Sequence, residues 1–192
     1  MSKNIRDRLD RLREHIQKPD FLEGKGLSNE VNIWIFCYDP VDEMTVRCFT
    51  EQLASRQDLA CRLHIHNLYQ LFLSICDDMD ITDAIPDMEE CDGSEYLLEQ
   101  LHSAISNNEF VDKMYYEPQE IGDVLMLTGV GEVFPFMRIH KLLEALQPHF
   151  PDIPILVMYP GEFSGHDVRL FNRLKPNDYY RAFSAIDERT VL

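Results

Sequence analysis

The stretch Asp123-Val124-Leu125-Met126-Leu127-Thr128, followed by Gly129-Val130-Gly131, decides the fold. Four apolar residues run without a polar one between them, so the segment lacks the in-out alternation of a strand with one wet face. An apolar run this short, bounded by turn residues, reads as a strand covered on both sides. Two further segments have the same character: Val31-Asn32-Ile33-Trp34-Ile35-Phe36-Cys37 and residues 153–159. Strands buried on both faces need helices above and below them, so the expected class is α/β. The sheet should be mostly parallel, with helices on both faces.

The segments between the strands supply those helices. Residues 2–18 place Ile5, Leu9, Leu12 and Ile16 on one stripe, an amphipathic helix that Pro19 is expected to stop. Residues 41–56 are helical in pattern, with Asp39 as cap and Pro40 in the first turn. A short second strand is expected over 61–66 and a helix over 68–76. Residues 77–94, acidic and carrying Pro86 and Gly93, read as an exposed irregular segment. Residues 95–114 read as a helix with a break near Asn107-Asn108, and 135–146 as another. After the strand at 153–159, residues 160–165 read as a turn, and the tail as a short helix over 167–174 and a last strand over 179–186. With no internal repeat or low-complexity tract, the 192 residues read as a single domain.

Composition narrows the function classes. The formal charge is −16, and residues 63–112 hold twelve Asp and Glu with no Lys or Arg. Such a surface repels phosphate backbones, so direct nucleic-acid binding is not expected there, whereas a basic partner would be steered toward it. A modest basic cluster, Arg169, Arg173, Lys175 and Arg181, lies among aromatics and is the one counter-signal. No apolar run approaches the roughly 20 residues that span a bilayer, and the charged start lacks the pattern of a secretory leader. Cys37, Cys48, Cys61, Cys76 and Cys91 never form C-x-x-C, which suits free thiols in a reducing compartment. The expected location is cytoplasmic.

Catalytic and cofactor templates fail by spacing. Gly129-Val130-Gly131 follows a strand as a phosphate loop would, but the dinucleotide fingerprint then needs a glycine where Phe134 stands. No Gly-Lys-Ser/Thr occurs, and Glu132 places negative charge where a phosphate would sit. His64 and His66 leave the same face of a strand, but His102, His140, His149 and His166 form no motif with them, so no metal site is expected. Gly161-Glu162-Phe163-Ser164-Gly165 misses the nucleophile elbow at both glycines. The expectation is a protein without catalytic residues, metal or cofactor.

A family pattern runs through the C-terminal third. Gly129-Val130-Gly131, Pro135, Arg138, His140, Leu142-Leu143 and Leu146-Gln147-Pro148 are followed by Pro154, Tyr159-Pro160-Gly161-Glu162, Gly165, Leu170-Phe171, Leu174 and Tyr179-Tyr180-Arg181-Ala182-Phe183. Together, with Ile65 and Asn67-Leu68-Tyr69 upstream, these resemble the BrxB family, a small accessory component of BREX bacteriophage-exclusion systems. The resemblance implies a place in a multi-protein complex that also holds a DNA methyltransferase, a large ATPase and a PglZ-like phosphatase-fold protein. The last of these is the expected partner. It brings no catalytic residue set. Residues at the strand ends, Gly129, Gly131, Glu132, Arg138, Tyr159, Pro160, Gly161, Glu162 and Phe163, are the candidates for contacting that partner. Tyr159 to Phe163 have two readings, interface anchors on a rigid turn or a turn that lets Phe163 pack back. A degenerate nucleotide-binding or nuclease-like module acting on phage DNA is the alternative.

Overall fold

The computed structural model describes residues 4–24, 32–164, 167–175, 177–178 and 182–186. Seven strands make one sheet: β1 Ile33–Tyr38, β2 Arg62–Asn67, β3 Asp123–Thr128, β4 Ile155–Phe163, β5 Asp167–Leu170, β6 Asn177–Asp178 and β7 Phe183–Ser184. The order β2-β3-β4-β1-β7 is parallel throughout. Only β5 and β6 run antiparallel, beside the far end of β4. The α/β class with a mostly parallel sheet, read from the sequence, is therefore the observed one.

The apolar runs are central because both faces of the sheet are covered. Leu125, Leu127, Ile155 and Val157 point to one face, under α4 Leu68–Asp78, α5 Ile85–Asp92, α6 Ser94–Ala104, α7 Asn107–Met114, α8 Val130–Val133 and α9 Ile139–Leu146. Val124, Met126, Leu156 and Met158 point to the other, under α1 Ile5–His15, α2 Pro19–Leu22 and α3 Glu43–Ala54. Each such aliphatic side chain contributes about 2 kcal/mol by leaving water. Among the described residues no helix is long and apolar enough to cross a membrane.

Several local expectations need correction. The described part of the first helix starts after the Asn4 cap and ends at His15, and Pro19 opens the short α2 rather than only closing what precedes it. The break at 105–106 is a Ser106–Glu109 capping box that starts α7. Residues 77–94 are mostly helical, not irregular: a 3-10 turn at Thr82–Ala84 leads into α5. Ile81, Ile85 and Met88 there pack on the core while the acids face water. The helix expected over 135–146 begins only at Ile139, as α9; a turn holding the cis Phe134–Pro135 bond separates it from the short α8 upstream. Residues 160–163 continue β4 instead of turning, and 167–170 form a strand, not a helix. Pro160 has no N–H to donate, and its carbonyl accepts from the Phe171 amide at 2.8 Å. Residues 179–181 of the expected last strand lie outside the described residues.

Candidate functional site

Parallel sheets carry their working crevice at the carboxyl ends of the strands. Here that end opens into a cavity of about 310 Å³ beside α3, floored by Ile65, Thr128 and Met158. β1, β2 and β3 each deliver one polar side chain to it, Tyr38, Asn67 and Thr128. β1 ends at Tyr38, whose hydroxyl donates to Glu43 Oε2 at 2.7 Å. Asp39 then accepts from the Val41 amide and starts the turn into α3. β2 ends at Asn67, whose Oδ1 accepts from the Tyr69 and Gln70 amides and so caps α4. β3 runs into Gly129 at φ 72°, where an added Cβ would stand 2.6 Å from Asn67 Oδ1. A side chain is excluded there twice over, by the backbone angle and by the cap.

Glu132 closes the crevice. Its Oε1 accepts from Arg47 Nη2 at 2.7 Å and its Oε2 from Asn67 Nδ2 at 3.1 Å. Arg47 also reaches Glu43 Oε1 at 3.5 Å. Burial raises the Tyr38 phenol, and the hydrogen bond to Glu43 adds to the effect. The hydrogen bond to Glu132 raises Arg47 further above its ordinary value. Among the described residues Arg47 is the single Lys or Arg in the lining, against Glu43, Glu51 and Glu132. A phosphate placed here would meet carboxylates already holding the available guanidinium.

The opposite end of β3 holds a second acid. Asp123 is 1% exposed and accepts from Arg62 Nε at 2.7 Å, the Glu120 amide at 3.0 Å and the Tyr116 hydroxyl at 3.1 Å. Burial alone would raise its carboxyl, but these three donors hold it below the ordinary value. The His64 ring stacks on Tyr116 with centroids 4.1 Å apart. Among the described residues no three His, Cys, Asp or Glu side chains converge as metal ligands.

The family of BREX protein BrxB matches residues 64–185. A BREX protein BrxB of Bacillus cereus strain H3081.97 is 35% identical over 191 residues, covering 97% of this chain and all of the relative. The chain belongs to the BrxB family. A second member, a BREX protein BrxB of Escherichia coli O9:H4 strain HS, is 27% identical over 182 residues, covering 94% of this chain and 91% of that one. No solved structure matches.

In this BrxB-family chain the strand-end candidates divide between two places. Gly129 and Glu132 belong to the crevice. Arg138 and Tyr159 line a separate cavity of about 400 Å³ on the other face of the sheet, between α8, α9 and β5. Tyr159 is 2% exposed and Pro160 and Gly161 are buried, so these three are packing residues of β4 rather than anchors displayed on a turn. Arg138 and Glu162 are exposed, and Gly131 and Phe163 are half-buried. Sequence spacing missed Arg47, Asn67 and Glu43, because the Arg47–Glu132 pair joins positions 85 apart. The cap signature of Asn67 before Leu68 was the one usable local sign.

Proposed function

We propose that this chain is a non-catalytic interaction subunit of a BREX phage-defence system, docking a PglZ-like protein. Family membership and the names of both relatives supply the BREX assignment. The observation that carries the interaction reading is the strand-end crevice, where Tyr38, Glu43, Arg47, Asn67 and Glu132 bond to one another. Carboxylates that are ion-paired and solvated are poorly set as general bases, and a lone, already paired arginine is a weak phosphate clamp. Beside the crevice, Val41 and Met44 are 83% and 70% exposed, more apolar surface than folding alone calls for.

The test is co-expression of the full chain with the other products of its BREX locus, followed by size-exclusion chromatography. Co-elution with the PglZ-like protein is the expected result. In parallel, ATP or GTP with Mg²⁺ should leave the melting temperature unchanged, since a ligand at 100-fold its Kd would add about 2.7 kcal/mol. Failure to co-elute together with nucleotide stabilisation would overturn the reading in favour of a nucleotide-binding module.

A further inference from the structure

The cavity behind α8 differs in kind from the crevice. Its wall is apolar: Val130, Met137, Ile139, Val168 and Leu170 are all buried. Among the described residues its ionisable lining groups other than Tyr159 are Arg138, His140 and Lys175, with no Asp or Glu. That is notable in a chain with 34 acids against 18 Lys and Arg. Arg138 and Lys175 are exposed, and among the described residues neither pairs with a carboxylate. The Arg138 guanidinium instead sits 5.8 Å from the centre of the Phe134 ring.

One polar group is left inside. Tyr159 is 2% exposed and lines the cavity, and none of the described residues hydrogen-bonds its hydroxyl. Burial, with the Cys37 thiol adding to it, raises the phenol, so the hydroxyl stays protonated and able to donate. A hydroxyl that faces the cavity without a partner among the described residues is free to donate to a ligand atom.

We infer that this cavity receives one large apolar side chain from an acidic segment of a partner protein, with Tyr159 meeting a polar atom of the inserted residue and Arg138 and Lys175 holding the flanking carboxylates. The inference rests on the interaction reading above and names the place where it acts. The cations favour a protein segment because they lie at the solvent-facing mouth, where flanking side chains of a surface segment run. A small carboxylate buried with the apolar wall would need a desolvated donor to pair with, and Tyr159 offers only a neutral one. Charge complementarity supports the sign: an acidic segment is repelled by most of this surface and attracted here.

The experiment uses the full chain carrying the photo-crosslinker p-benzoylphenylalanine at position 173, exposed beside the cavity edge, co-expressed with its BREX locus, and two variants. Leu174→Trp fills the half-buried edge of the cavity, and Arg138→Glu with Lys175→Glu reverses the rim. Circular dichroism and melting show whether each is folded. The crosslinked partner peptide should hold an aromatic or long aliphatic residue among Asp and Glu. Each folded variant should weaken partner binding about tenfold or more, and the charge reversal should also remove its salt sensitivity. Wild-type partner binding that survives both variants overturns the inference while leaving the interaction reading intact. So does a crosslink confined to a basic segment, or a small acidic molecule seen by native mass spectrometry and lost in Leu174→Trp. A wild-type chain that captures no partner overturns the interaction reading, and this inference with it.

Discussion

The crevice and the cavity share α8, which sends Glu132 into one and Val130 into the other. In the crevice every charge of the cluster has found its opposite within the chain: Arg47 with Glu43 and Glu132, and Tyr38 and Asn67 as donors to the same acids. In the cavity the charges are of one sign and lie over an apolar wall. The difference teaches that a charged site in the expected place need not be a binding site. Groups that satisfy one another hold the fold together, whereas groups left over, on a surface of opposite sign, are available for something else.

The comparison breaks most sharply at its two glycines. A Cβ at Gly161 would stand 2.1 Å from the Arg169 carbonyl oxygen, and no flexible side chain is there to give way. Gly161→Ala should therefore push β5 off β4, costing about 3 kcal/mol or more and lowering the melting temperature by roughly 6–12 °C. It should also abolish partner capture, because Val168 and Leu170 on β5 form the cavity wall. Gly129→Ala strains the left-handed backbone, about 1–2 kcal/mol, and displaces the Asn67 cap, about 1 kcal/mol. It should destabilise nearly as much yet leave capture intact below the melting point. Equal loss of capture in both variants would mean that the crevice and the cavity do not act separately.

The sheet was readable from sequence because its central strands β1, β3 and β4 hold short unbroken apolar runs bounded by turn residues. The elements misread are those where two signals competed. In α5, Pro86 and four acids argued for a loop, while Ile81 just before it and Ile85 and Met88 within it, spaced by four and three, already marked the buried stripe. In β4, Pro160-Gly161 reads as a turn by composition, but the parallel strand passes straight through it into an antiparallel pair. The sites were harder to see for a different reason. Arg138 and Tyr159 stood among the candidates. Their neighbours His140 and Lys175 come from a different segment or carried a different reading, since only the folded sheet brings α9 and the turn after β5 together. Contacts between distant positions leave no local spacing to read.

A smaller effect sharpens the claim that the crevice cluster is structural. Arg47 is 39% and Glu132 32% exposed, so solvent screens the pair and Arg47→Met should cost only about 1 kcal/mol by urea denaturation. Removing the guanidinium leaves Glu43 and Glu132 facing each other uncompensated. Glu132→Gln made on top of Arg47→Met should then restore part of the loss, a coupling of several tenths of a kcal/mol between positions 85 apart. Neither change should alter partner binding. Strict additivity would mean that the two side chains do not hold each other in solution.

The smallest expected effect is on acid stability, and its sign follows from which state binds protons. Burial lowers His66, with His64 adding to it, lowers His15, with Lys18 adding to it, and lowers His140 against the opposing pull of Glu144. As pH falls through the ordinary histidine value of about 6.5, the unfolded chain takes up these protons before the folded one does. Their stabilising contribution is complete above that value and declines below it. Asp123 acts lower down: its carboxyl is depressed in the fold, so its contribution holds above the ordinary aspartate value of about 3.9 and is lost as pH falls toward its own. Urea midpoints measured from pH 8 to pH 3 should therefore fall in two steps. Asp123→Asn should flatten the lower step alone, because it removes the group whose proton the fold resists, while His66→Gln should soften only the upper one. A profile that rises on acidification through 6.5 would place these histidines in contact with acids that stabilise their charged form, contrary to the partial burial that lowers them.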